Sequence, residues 1–270
     1  MMILSLKSLV KIITTKIIIT TKEILMNSYT QIAAKEYQKH TPWPYLAIIL
    51  YGSQNYNLYN STSDYDYKIL SLPSFYAALT REKRKSYTYQ YECGQIVHQD
   101  LRDFIAQLRK GNPNALELLF SKDVEVNPIF MGFWKILTDN RERIIRYNPI
   151  KFINALNGTA IASSTAKENS KRLSHALRSK YTLCQFLEGK ENPFELNGER
   201  QTNCLMVKNN ALSYEEFLAL FQSVKVPMNC DGLNEDILRK EFFEFSELEK
   251  DFYRAYYNSE YYLKNYELKS

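Results

Sequence analysis

Residues 51–70, YGSQNYNLYNSTSDYDYKIL, decide how the chain is read. Gly52-Ser53 directly follows the apolar run YLAIILY (45–51). After ten intervening residues Asp64-x-Asp66 heads the next apolar run. A continuous apolar run of this length reads as a buried strand rather than a helix, and YDYKILSL (65–72) reads as a second strand. Side chains i and i+2 of a strand share a face. Asp64 and Asp66 are therefore expected to point the same way, with Tyr65 and Tyr67 packing on the other side. Two carboxylates that close repel each other unless a cation lies between them. Mg2+ takes oxygen ligands, commonly one or two carboxylates together with substrate phosphates. Gly52 lets the backbone approach a phosphate, and the N–H groups of the following turn and the Ser53 hydroxyl are available to bind one. Each piece alone also describes an ordinary turn. Their order and spacing between two apolar runs point to half of a metal–nucleotide site.

Outward from this stretch, SYTQIAAKEYQKH (28–40) reads as a short helix, with Ser28 and Gln31 in capping-box positions. TPWP (41–44) breaks the chain before the first strand. Residues 73–85 read as a helix with Pro73 near its first turn, and 86–99 as β-rich with a bulge or bend at Gly94. Residues 100–112 form an amphipathic pattern that Asp100 caps and Gly111 ends, and a further short helix starts behind Asn112-Pro113. Asn112 and Asn114 are expected to fix the turn around Pro113. From about 129 onward the strand signal fades. Helical patterns run at 129–146, 149–189, 213–224 and 233–265, with 187–203 as a linker or loop. The fold class is α+β: an α/β domain over 26–125, then an all-helical half over 126–270.

The 270 residues suffice for one large domain or two smaller ones. With 21 Tyr and 14 Phe, disorder over most of the length is excluded. A net charge of +5 suits a protein that handles phosphate but does not by itself demand DNA or RNA. Cys93, Cys184, Cys204 and Cys230 form no CxxC and no zinc-ligand spacing, so reduced thiols in a cytoplasmic protein are expected. The apolar opening is broken by Lys7, Lys11, Lys16 and Lys22, which argues against a membrane span. Residues 1–25 are expected to be a dispensable extension ahead of a start at Met26.

Farther along, Lys171, His175 and Arg178 fall at i, i+4 and i+7, one stripe of a helix. Such a stripe suits a triphosphate or an RNA end. It is equally an ordinary solvated basic face, because Arg172 and Lys180 crowd the same segment. Glu117 is left open between a helix-surface acid and a partner for a basic residue.

Gly52-Ser53 with Ser63-Asp64-Tyr65-Asp66 resembles the signature of the DNA polymerase β-like nucleotidyltransferase superfamily. DLRDFIAQLRKGNPNALELLFS (100–121) and KRLSHALRSKYTLCQFLEGKENPFEL (171–196) are similar to segments of one bacterial and phage branch, some of it linked to RNA repair. The resemblance covers roughly 45–225 and favours a functional role for His175 and Arg178. It implies a mixed sheet with flanking helices and a helical half closing over the nucleotide. It also implies transfer of a nucleoside monophosphate from an NTP to a hydroxyl with release of pyrophosphate, using Mg2+ or Mn2+. The acceptor is left open among an RNA end, a protein hydroxyl and a small molecule.

The superfamily uses a third carboxylate, and the resemblance places it at position 95, where this chain has Gln95. A Gln carbonyl oxygen can face a metal, but it takes no proton near neutral pH. Glu92 would reach the same face only through a bulge at Gly94. Three expectations follow: catalysis with Glu92, catalysis on two carboxylates, or a nucleotide-binding module, sensor or antitoxin-like, without efficient turnover.

Overall fold

The computed structural model describes residues 29–40, 45–60, 63–72 and 86–227, together with Glu247 and Lys250. The N-terminal extension and the helices expected at 73–85 and 233–265 lie outside these residues.

The protein is α+β, built on a mixed five-stranded sheet of order β3-β4-β2-β1-β5. Helical residues 29–40 (α1) precede β1 (Tyr45–Tyr51). β1 pairs antiparallel with β2 (Asp66–Ser71) on one side and with β5 (Val124–Val126) on the other. β3 (Tyr87–Tyr91) and β4 (Gly94–Asp100) form a hairpin, and β4 lies parallel to β2. The β-alternation expected along β2 is present. Tyr67 and Ile69 pack with Ile48, Leu50 and Ile96 under Ala33 and Tyr37 of α1. Leu70 faces the opposite way, into the core shared with the helices.

The helices are α2 (Leu101–Arg109), α3 (Pro113–Leu116), α4 (Met131–Asp139), α5 (Arg141–Ile145), α6 (Pro149–Ser164), α7 (Ser170–Leu187), α8 (Gly198–Lys208) and α9 (Tyr214–Ser223). Asp100 caps α2, its carboxylate accepting from the Arg102 N–H at 2.8 Å, as expected. Asn112 caps α3 by accepting from the Asn114 N–H at 2.9 Å. The pattern at 149–189 is two helices, because Asn169 starts a new one by accepting from the Arg172 N–H. α8 occupies part of the segment expected to be a loop. Only Cys204 and Val207 of its 11 residues are buried, too few to print a helical period.

The boundary expected at 125/126 falls inside β5, and one apolar core joins Ala47, Ile49 and Leu70 of the sheet to Phe152, Leu177 and Val207 of the helices. Phe194 links the two sides. It is fully buried and its ring meets Tyr56 and Phe120 beside the sheet and Phe152 of α6. The site described next lies at this seam.

Candidate functional site

Strand pairing assembles the first part of the site. Tyr51, the last residue of β1, pairs with Asp66, the first of β2, so the chain turns at Gly52 directly against the Asp66 carboxylate. A Cβ on Gly52 would stand 3.8 Å from Asp66 Oδ2. Gly52 has φ +77, a conformation that costs other residues about 1–2 kcal/mol. Gly52→Ala is therefore expected to lower the thermal midpoint by roughly 3–6 °C, read by thermal melts.

Asp64 lies just before β2 rather than within it; the next residue, Tyr65, donates its N–H to Cys93 O at 2.8 Å. Tyr65 and Tyr67 pack away from the site as expected, Tyr65 stacked on Tyr29 and Tyr67 buried. The parallel pairing of β2 and β4 puts Gln95 beside Asp66. The Gln95 N–H donates to Asp66 Oδ1 at 3.3 Å, and its side-chain amide donates to the Tyr51 hydroxyl at 3.2 Å. Burial raises the Asp66 carboxyl above its ordinary range. The Gln95 N–H opposes this, Asp64 adds to it, and Lys171 opposes it.

A cavity of about 590 Å³ gathers most of the expected residues, though neither Gln95 nor Glu92 lines it. Gly52, Ser53, Asp64 and Asp66 line one wall; Lys171, His175 and Arg178 of α7 line the other. The two functional halves inferred from separate stretches of sequence therefore face one space. Glu92 is not brought in. It occupies the exposed turn of the β3–β4 hairpin, and β4 pairs regularly from Gly94 with no bulge to change its face. Gly94 is there for close approach: a Cβ would stand 2.5 Å from Tyr65 O.

Three features were not legible. Glu117, expected at a helix surface or paired with a base, is 2 % exposed and accepts from the Gly52 N–H at 2.7 Å. That N–H is committed to the protein and is not free for a phosphate. Burial raises the Glu117 carboxyl; Arg178, the Gly52 N–H, Tyr56 and Asn55 all oppose it. The second feature is the seat of the Arg178 guanidinium, whose carbon lies 3.9 Å from the centre of the Tyr56 ring. Among the described residues it donates no hydrogen bond, which leaves its fork of N–H groups open to a ligand. The third is Lys208, at the end of α8. It lines the same cavity and donates to Leu58 O at 2.6 Å and to Ser63 Oγ at 3.0 Å, clamping the loop between the Gly-Ser turn and the aspartates.

His175 differs from the cation its stripe suggests. Burial first, then Arg178 and Arg172, push its pKa from 6.5 down to about 3. The unfolded chain therefore takes up this proton more readily than the folded one. Stability is full above the unfolded value and falls as pH drops from about 6.5 toward 3. After allowing for solvent screening at a half-buried ring, the loss is on the order of 2 kcal/mol between about pH 7 and pH 4. His175→Gln is expected to flatten this part of the stability–pH curve, measured by urea unfolding.

Among the described residues no group of three or more His, Cys, Asp or Glu is placed to hold a metal. The donors at the cavity are instead two carboxylates, and neither makes an ion pair among the described residues. An oxygen-only pair of this kind fits a hard divalent ion that completes its shell with phosphate oxygens and water. Asp64 and Asp66 are the residues that would hold Mg2+ or Mn2+; Gln95 meets Asp66 through its backbone N–H, and its side-chain amide is turned to the Tyr51 hydroxyl. No helix among the described residues is long and apolar enough to cross a membrane. In comparison with known proteins, no family model matches the chain and no curated protein is similar to it.

Proposed function

We propose that the chain is a DNA polymerase β-like nucleotidyltransferase that moves a nucleoside monophosphate from an NTP to a hydroxyl acceptor. The observation that carries this reading is the single cavity in which the Gly-Ser turn and two aspartates face the α7 stripe. In the transfer, the acceptor oxygen forms a bond to the α-phosphorus, the bond to the β-phosphate bridging oxygen breaks, pyrophosphate leaves, and the hydroxyl proton passes to solvent. A bound divalent ion would neutralise triphosphate charge as the leaving group departs. The Ser53 hydroxyl and the open N–H groups of Arg178 bind phosphate oxygens, and Lys171 adds charge at the exposed rim. Lys208 fixes the loop that carries Asp64. His175, neutral near pH 7, offers a hydrogen bond without adding charge.

A second reading has one observation in its favour. Gln95 occupies the place beside Asp66 where the proposed family has a third carboxylate, so the protein would be a nucleotide-binding module with weak or no turnover. One assay separates the two. The full chain is incubated with each α-labelled NTP and Mg2+ or Mn2+, with and without RNA. Label transfer that requires Asp64 and Asp66 supports the transferase. No transfer, with metal-dependent nucleotide binding lost in both alanine variants, selects the module. Transfer indifferent to both variants removes the site.

A further inference from the structure

A second cavity, of about 520 Å³, shares His175 and Arg178 with the first. Its other walls are the GNPN turn at 111–114, one face of α6 and the next turn of α7. Its character is different. Lys110, Lys151 and Arg178 line it, and no carboxylate does. Among the described residues neither lysine pairs with an acid.

An independent feature points the same way. Thr182, which lines this cavity, is fully buried, and its hydroxyl has no hydrogen-bond partner. A buried hydroxyl without a partner is destabilising and calls for an explanation. Lys110, Lys151 and the uncommitted N–H groups of Arg178 thus bring three cations to the cavity, with the partnerless Thr182 hydroxyl buried in its lining. That is more than the two oxygens of a carboxylate can use, and it matches the three free oxygens and double charge of a phosphate monoester. The volume is also well above that of phosphate alone and leaves room for a sugar.

We propose that this second cavity binds the phosphate of a hydroxyl-bearing phosphate monoester, held by Lys110, Lys151, Arg178 and Thr182, and that this compound is the acceptor. Its role as acceptor rests on the transferase reading above; its binding does not. Arg178, common to both cavities, would then touch donor and acceptor and hold them side by side.

The test uses the full chain and calorimetric titration with two probes, ribose 5-phosphate and a 5′-phosphorylated RNA hexamer, each compared with its unphosphorylated form. Phosphate-dependent binding, with a gain of about tenfold or more in affinity, is expected for at least one probe. A gain with ribose 5-phosphate identifies a free sugar phosphate as sufficient. A gain with the hexamer alone identifies a polynucleotide end. Lys151→Ala and Thr182→Val are each expected to weaken the phosphorylated probe about fivefold or more. Thr182→Val removes only an unpartnered hydroxyl, so its thermal midpoint stays at or above that of the parent, and weaker binding cannot be ascribed to misfolding. Equal binding of phosphorylated and unphosphorylated probes overturns the proposal, as does parental affinity in both variants. If phosphate-dependent binding holds but label never leaves an NTP, the transferase reading fails and the cavity stands. If label transfers equally to acceptors without phosphate, the cavity's role as acceptor site fails and the transferase reading stands.

Discussion

On the proposed transferase reading, Asp66→Ala is expected to lower nucleotide transfer by about 10³-fold or more while leaving the fold intact. The kinetic loss is large because Asp66 is the better enclosed of the two carboxylates at the cavity, next to the Gly52 turn and bonded by the Gln95 N–H. Without it Asp64 alone would hold the divalent ion, and the phosphates would face Lys171, Arg178 and Lys208 with half the opposing charge that positions a cation between them. A thousandfold loss is about 4 kcal/mol of transition-state stabilisation, within reach of a metal ligand. Stability moves the other way or not at all. Burial is the main influence on Asp66 and works against its charged form, so removing the carboxylate relieves a desolvated charge. Asp64→Ala has the same direction with a smaller loss, because Asp64 is exposed and more easily replaced by water. Single-turnover transfer with labelled NTP, alongside thermal melts of each variant, measures both halves. Asp66→Ala activity within tenfold of the parent, in a folded protein, removes Asp66 from the chemistry.

The part of the site that could be read from sequence lay in segments with strong periodicity. YLAIILY and YDYKILSL announced two buried strands, and the alternation that puts Tyr67 and Ile69 on one side fixes Leu70 and the Asp66 end on the other. The α7 stripe was legible because a helix carries a fixed angular spacing. Position 95 was reached only through the family resemblance; the parallel register of β4 on β2, which puts it beside Asp66, leaves no mark in the local sequence. What could not be read depends on contacts between segments distant in sequence. Glu117 stands in LELLF, where an acid among apolar residues looks like the wet side of a short helix; only the folded chain brings Gly52 and Arg178 to it. Lys208 belongs to a helix that opens at Gly198 and buries little, so neither its element nor its reach to Ser63 leaves a local pattern. The apolar core shared by the sheet and the helices escaped notice for the same reason: a change from strand to helix periodicity marks a change of layer as readily as a change of domain.

Glu117→Ala destabilises the protein by about 3–5 kcal/mol and abolishes nucleotide binding, whereas Glu117→Gln keeps most of the stability. The carboxylate joins two elements of the site. It accepts from the Gly52 N–H at 2.7 Å and so holds the turn against Asp66, and it supplies the negative charge nearest to Arg178 above the Tyr56 ring. Alanine leaves the Gly52 N–H and the Tyr56 hydroxyl without their acceptor and removes the charge beside Arg178; each donor left unmade costs about 1–3 kcal/mol. Glutamine retains an oxygen for Gly52 and loses only the charge. Its expected cost is under about 1.5 kcal/mol. Burial raises the Glu117 carboxyl in the folded state, so its ionisation costs stability as pH rises through that raised value, and Glu117→Gln removes this loss at high pH. Glutamine also leaves Arg178 without an opposing charge, which strengthens its pull on a triphosphate provided the turn keeps its shape. Urea unfolding of both variants at acid and neutral pH, paired with NTP titration, resolves the two roles. Equal destabilisation by alanine and glutamine would mean that charge rather than the Gly52 hydrogen bond holds the turn; an alanine variant within about 1 kcal/mol of the parent would mean that Glu117 holds nothing.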